Sequence, residues 1–309
     1  MWRRSSGREA GVLHTRIGLI GLGNAGRALA TALAGTFDIV AYDRDASRLK
    51  AAAETGCQAV DSVCKVAARC PIVLLSLPTP ESSRSVSREL AETGLDDHLI
   101  IETSTVAPSD IQWLVDFFAP KGAAVMDAAI VGGVQRLAAG RTTFLVGADA
   151  GSFARARPIL EQAAEDIFHL GEAGSGMRAK LVNNAIAHTT MVMLIEGAAL
   201  ARKTGLPLHV FQTLMERESG LMRPLTHRFG ERIKNQDFKG GMPTDNARKD
   251  SALVLNLARE LGVPLFTLQA SHAAYDIATA QGLGQMDYAA ISKLWEQWLD
   301  ISLGFADEK

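Results

Sequence analysis

A chain of 309 residues is long enough for one large or two ordinary domains, and its 47% hydrophobic content can fill sizeable cores. A formal net charge of −2, with 21% charged residues and no long Lys/Arg run, excludes a sign-dominated surface, which argues against nucleic acid or an anionic membrane as partner and for a small molecule. The cysteines Cys57, Cys64 and Cys70 are odd in number and lack CxxC spacing, so neither a disulfide framework nor a metal site is expected; they read as buried apolar residues of a protein in the reducing cytoplasm.

Residues 1–15 carry Arg3, Arg4 and Arg8 but also Glu9, with no apolar stretch for secretion, and read as a flexible N-terminal extension. The apolar run Ile17-Gly18-Leu19-Ile20 then leads into Gly21-Leu22-Gly23-Asn24-Ala25-Gly26, which opens a helix through Arg27 to Leu33. The first glycine permits a tight strand-to-helix turn. The second lets backbone amides approach a pyrophosphate, and the third lets the helix pack on its strand. A pyrophosphate would sit on the free N–H groups and positive dipole end of that helix. The next strand, Asp38 to Tyr42, ends at Asp43, twenty residues past Gly23, where a carboxylate can take the ribose hydroxyls of a dinucleotide. Arg44 follows directly and could instead neutralise a 2′-phosphate, but Asp43 sets the expectation at NAD in preference to NADP.

Further apolar runs alternate with helix-like segments, the pattern of a parallel sheet covered on both faces. Strands are expected at Pro71 to Leu77, Leu99 to Glu102, Ala124 to Asp127, Thr142 to Gly147 and Asp166 to Leu170. Leu77 and Pro78 open a stiff loop at the carboxyl end of the sheet, where such folds bind ligands. Residues 16–173 therefore read as a Rossmann-type, doubly wound NAD-binding domain. From Gly174 the strand signals vanish, and residues 174–309 read as an all-helical substrate and oligomerisation domain, joined through a long interdomain helix from Met177 to Lys203, roughly 40 Å at 1.5 Å per residue. Later helices are expected at Leu208 to Glu218, Leu221 to Asn235, Ala247 to Leu261, Thr267 to Gln281 and Tyr288 to Leu303. No run of 18 uninterrupted apolar residues occurs, so no membrane span is expected.

The long helix carries the chemistry. Lys180 lies one turn before Asn184 on one face of an otherwise apolar stretch, where a lysine is costly to bury without a task. Its amine can move the proton that leaves or joins an alcohol oxygen during hydride transfer, and Asn184 can hold that oxygen; the bland alternative is a lysine snorkelling at a domain edge. His188 reads as a hydrogen-bonded core residue, and Asp276 and Asp287 as surface or capping residues.

The ordered motifs resemble the β-hydroxyacid dehydrogenase family, which includes 3-hydroxyisobutyrate dehydrogenase, tartronate semialdehyde reductase and 6-phosphogluconate-type enzymes. The resemblance spans Arg16 to about Ala306 and rests on the glycine fingerprint, Glu102-Thr103-Ser104-Thr105 with Pro108, Asp127 to Gly133, Lys180 with Asn184, and Lys249-Asp250. It implies that Lys180 is the acid/base, that Asn184 and the Gly132-Gly133 backbone hold substrate, and that Thr105 and Lys249 lie beside the nicotinamide. It also implies interconversion of a small 3-hydroxyacid and its semialdehyde. Apolar segments such as Leu253 to Leu257 and Trp295 to Leu299, more than one Rossmann neighbour would cover, set the expectation of a homo-oligomer, with homodimer and homotetramer both open. Val131 stands where the family usually has a substrate-binding serine, Ala129 where it has proline, and Glu102 where aspartate is commoner, so the identity of the hydroxyacid stays open. An imine reductase on the same scaffold is the nearest rival, although those enzymes usually replace the lysine. A cofactor-binding regulatory protein with a degenerate site is the rival of another class.

Overall fold

The computed structural model describes residues 16–217 and 220–306, so the expected N-terminal extension lies outside the described residues. The chain divides into two compact units between Asn184 and Ala185.

The first unit is an eight-stranded sheet of order β3-β2-β1-β4-β5-β6-β7-β8. Its strands are β1 (Arg16–Ile20), β2 (Asp38–Tyr42), β3 (Gln58–Ala59), β4 (Ile72–Leu75), β5 (Leu99–Glu102), β6 (Ala124–Val131), β7 (Thr142–Gly147) and β8 (Ala164–His169). The helices between them are α1 (Asn24–Leu33), α2 (Ala46–Glu54), α3 (Val63–Ala67), α4 (Pro80–Leu90), α5 (Pro108–Phe118), α6 (Gly133–Ala138) and α7 (Ala150–Ala163). Period-2 alternation divides each strand between two cores. Leu74, Ile101, Met126, Phe144 and Val146 face one. Val73, Leu75, Ile100, Val125 and Ala129 face the other.

The sheet is parallel, as expected, except at one pair: β6 and β7 run antiparallel, Asp127 opposite Gly147. Only residues 132–141 connect them, and a parallel crossover needs a dozen or more. The two-residue β3 is too short to show a period in sequence.

A 29-residue helix, α8 (Ser175–Lys203), crosses the division between the units. It begins two residues earlier than the sequence indicates, because the Asp127 carboxylate accepts hydrogen bonds from Gly174 N and Met177 N at its first turn. Among the described residues it is also the one helix long and apolar enough to cross a membrane, an 18-residue stretch of it reaching a mean hydropathy of 1.2 although polar residues interrupt its apolar ones.

The second unit continues with α9 (Leu208–Glu216), α10 (Thr244–Glu260), α11 (Phe266–Ala280) and α12 (Ser292–Leu299). The end expected for α9, Glu218, lies outside the described residues. The helix expected from Leu221 is a π-helix, Pro224–Ile233, a distinction that periodicity over ten residues does not resolve. The helix expected from Tyr288 is broken into a 3₁₀ turn, Tyr288–Ile291, and α12, which stops at left-handed Asp300. Glu196 on α8 caps α11, accepting from Phe266 N at 2.8 Å and from Thr267 N at 3.1 Å. Of the two roles expected for Asp287, surface or capping, the structure shows the second: fully buried, it caps the 3₁₀ turn that begins at Tyr288 by accepting from Ala289 N, and pairs with buried Arg228 at 3.1 Å. His188 is exposed rather than a core residue. Along the apolar length of α8, Val182, Ile186, Met191 and Ile195 are more than half exposed.

Candidate active site

The glycine fingerprint forms one wall of a cleft of about 550 Å³ at the carboxyl ends of β1, β2 and β4. Gly21 has φ +95°, and a Cβ there would lie 2.1 Å from Ser76 O. A Cβ on Gly26 would lie 1.9 Å from Gly21 O, so this glycine allows α1 to sit against the turn. Gly23 differs: its Cβ would enter open space, with Arg48 Nη1 the nearest atom at 4.0 Å. Two glycines thus serve the protein's own packing, and the third keeps a cradle clear that a side chain would fill, as a dinucleotide pyrophosphate requires.

Gly21, Gly23, Asn24, Ala25, Asp43, Arg44, Leu77 and Pro78 all line this cleft, while Leu22 and Gly26 are buried behind it. The Asp43 side chain is 6% exposed, and its two oxygens accept from Leu22 N at 2.7 Å and Asp45 N at 2.8 Å. Arg48 Nη1 adds an ion pair at 3.5 Å. Asp43 therefore ties the end of β2 to the glycine turn as well as facing the cleft, a role that its spacing alone does not convey.

Lys180 is half-buried, and its Nζ donates to Ile130 O at 2.7 Å. Burial lowers its pKa, because desolvation penalises the ammonium. The bond brings the amine beside Val131, Gly132 and Gly133, since Ile130 immediately precedes that segment; Gly132 and Gly133 hold φ of +121° and +80°. Asn184, one turn beyond Lys180, is half-buried and pairs loosely with Asn183 at 3.5 Å. Thr105 is exposed at the end of the β5 loop. Lys249 belongs to the second unit, where it pairs with Asp250 at 2.9 Å.

Asp127 is the functional support that sequence reasoning missed. It was legible only as the first residue of a motif, whereas the structure buries it completely under the head of the helix that carries Lys180. Gly147 and Gly176 make room for it, since a Cβ on either would approach its carboxylate within 2.4 and 2.8 Å. Burial raises its pKa despite the two N–H bonds. Among the described residues no His/Cys/Asp/Glu group has metal-site geometry, and the three cysteines are free, with Cys64 only half-buried.

Residues 16–171 match the model of the NAD-binding domain of 6-phosphogluconate dehydrogenase, and residues 174–295 match the NAD-binding domain of NADP-dependent 3-hydroxyisobutyrate dehydrogenase. A 2-(hydroxymethyl)glutarate dehydrogenase of Eubacterium barkeri is 31% identical across 93% of this chain and 97% of its own. A 3-hydroxyisobutyrate dehydrogenase of Pseudomonas aeruginosa is 31% identical across 91% and 98%. Among solved structures, Mycobacterium tuberculosis 3-hydroxyisobutyrate dehydrogenase with L-serine superposes with a TM-score of 0.63 at 25% identity, covering 92% of this chain and 99% of that one. An imine reductase from Pseudomonas sp. reaches 0.84 at 19% identity, covering 91% and 99%, a likeness of fold alone. The chain belongs to the β-hydroxyacid dehydrogenase family. It is an NAD(P)-dependent oxidoreductase acting on CH–OH groups, on a Rossmann domain followed by a helical domain.

Proposed function

We propose that this enzyme interconverts a small 3-hydroxyacid and its semialdehyde, with Lys180 as the acid/base. The observation that carries the reading is the Lys180 amine, desolvated and held on Ile130 O beside the Val131-Gly132-Gly133 turn. When bound, NAD supplies the hydride acceptor. The neutral Lys180 amine takes the proton from the substrate hydroxyl as hydride leaves the carbon, and in reduction the ammonium returns it. Desolvation supports the amine form that oxidation needs. Asn184 would donate its amide N–H to the same oxygen, and the Gly132 and Gly133 N–H groups would receive the polar end of the substrate. Val131 gives that end no side-chain donor, so the two amides would hold it alone or it would differ from the usual carboxylate. Thr105 and Lys249 are assigned to the nicotinamide end.

The same reading takes residues 16–173 as cofactor-binding and 174–309 as substrate-binding and oligomerising, in a cytoplasmic enzyme with no nucleic-acid or membrane partner. Helix α8 falls wholly within the matched segment 174–295, which supports its being part of the enzyme and not an anchor. Its exposed Val182, Ile186 and Ile195 support a homodimer or homotetramer.

Lys180→Ala is expected to lower kcat on the order of 10²-fold or more with NAD affinity nearly unchanged, as loss of general acid–base catalysis does. Single-turnover kinetics on a panel of 3-hydroxyacids and an NAD titration provide the measurement. A kcat within about threefold of wild type would remove Lys180 from the mechanism.

A further inference from the structure

Behind the cofactor cleft lies an acid that the mechanism does not use. Glu102 ends β5 with no exposed surface, and its Oε1 accepts from Ser104 N at 2.9 Å. Ser104 Oγ in turn accepts from Leu77 N at 2.7 Å, and Leu77 lines the cleft. Two hydrogen bonds therefore link a buried carboxyl to the cleft wall. On its other side Glu102 Oε2 is buried without a hydrogen-bond partner, as is Ser83 Oγ on α4.

Among the described residues this carboxyl makes no ion pair. From α4, Arg84 turns its guanidinium to Asp110 at 2.8 Å. From α5 that same Asp110 adds negative charge, and from β6 the register neighbour is another buried acid, Asp127. Its β4 neighbour is Leu75, and its own loop offers only the hydroxyls of Thr103 and Ser104. An ionised Glu102 would be held only by the Ser104 N–H and the Ser83 and Ser104 hydroxyls, buried and beside the like charge of Asp110. The protonated form fits better: Oε1 accepts from Ser104 N while the acid O–H turns to Ser83, whose oxygen otherwise lacks a partner.

We propose that Glu102 is a positioning residue of the cofactor cleft: as the neutral acid it holds the Ser83–Ser104 bracket that fixes Leu77, and its ionisation weakens dinucleotide binding. The proposal rests on the assignment of this cleft to the cofactor. Ionisation would place a like charge behind an anionic ligand and draw water or a counter-ion toward the bracket. Burial pushes the Glu102 carboxyl up to about 7, which puts the change within the physiological range.

NADH is the probe, because its diphosphate does not titrate near neutrality and no histidine lines the cleft. If the ionised form does not bind, the Kd for NADH rises about tenfold between pH 6 and pH 8 for a single group titrating near 7. Glu102→Gln imitates the acid, with an acceptor for Ser104 N and an N–H for Ser83, so its Kd should stay low and flat across that range. A Glu102→Gln protein with the wild-type pH profile, or a flat wild-type profile, would overturn the proposal. A merely structural role would shift folding stability without flattening the profile. Ser104→Ala gives a second reading: it cuts the link to Leu77, so it should bind NADH weakly at pH 6 and lose most of the pH dependence, and an unchanged profile overturns the proposal. Failure of the wild type to bind NADH at any pH would overturn the cofactor assignment and this role with it, whereas binding without pH dependence overturns this role alone.

Discussion

Replacing Asp127 with alanine tests how the helix bearing Lys180 is held in place. The carboxylate is fully buried, with one oxygen on Gly174 N and the other on Met177 N at 2.6 Å. Removing it strands two N–H groups at the positive end of a 29-residue helix, each costing about 1–3 kcal/mol when left unsatisfied. Part of this is offset, since burial already penalises the ionised carboxylate enough to raise its pKa. The sign follows: a folded-state pKa above 3.8 means that the folded protein binds the proton more tightly, so this group's contribution to stability declines as pH rises through that raised value. The net loss for Asp127→Ala at neutral pH is then about 2–4 kcal/mol, or a urea midpoint lowered by roughly 1 M for m near 2–3 kcal/mol/M. Asp127→Asn keeps one acceptor but turns an NH₂ toward a backbone N–H, and should lose nearly as much. With the head of α8 loosened, kcat should fall more than NADH affinity, because Lys180 follows Met177 by one turn while Gly21 to Gly26 are untouched. Chemical denaturation of the three proteins and NADH titration measure both effects. A Asp127→Ala midpoint within about 0.3 M of wild type would refute the capping argument.

The fingerprint glycines should separate by role: Gly23→Val should leave stability within about 0.5 kcal/mol, since its side chain enters open space, yet weaken NADH binding at least tenfold, while Gly26→Ala should destabilise the fold by about 2 kcal/mol or more through its clash with Gly21 O. Denaturation and fluorescence titration distinguish these patterns, and equal NADH affinity in Gly23→Val would move the pyrophosphate elsewhere. For cofactor choice, Asp43 at the ribose end should give NAD at least a tenfold advantage in kcat/KM over NADP, about 1.4 kcal/mol, and a clear preference for NADP would transfer control to Arg44. Light scattering should find an oligomer at micromolar concentration, and Ile186→Asp, at a position 68% exposed on α8, should shift it toward the 33.0 kDa chain mass; a monomeric wild type contradicts the assembly.

Much was readable from local sequence because the rules that write it are local. The spacing of Gly21, Gly23 and Gly26, the short apolar runs of β2, β5 and β7, and the shift to helical texture after Gly174 all reflect constraints within a few residues, and the strands Asp38–Tyr42, Leu99–Glu102 and Thr142–Gly147 fall where that pattern puts them. Lys180 was visible as a charge on an apolar helix, because burying an amine is costly wherever it happens. What only the tertiary structure decided involves partners far apart in the chain. Ile130 meets the Lys180 amine across fifty residues. Asp127 draws the start of α8 back to Ser175, and the ten-residue link 132–141 forces β7 to reverse. Gly23 and Gly26 look identical in sequence, yet one guards empty space and the other a backbone contact. Glu102 is visible in sequence as one acid of a motif, but only the sheet, α4 and α5 closing over it show that it is fully buried while Arg84 pairs with Asp110 instead. In each case the deciding quantity is what surrounds a group once the chain has folded, and hydrophobic period and turn chemistry carry no record of that.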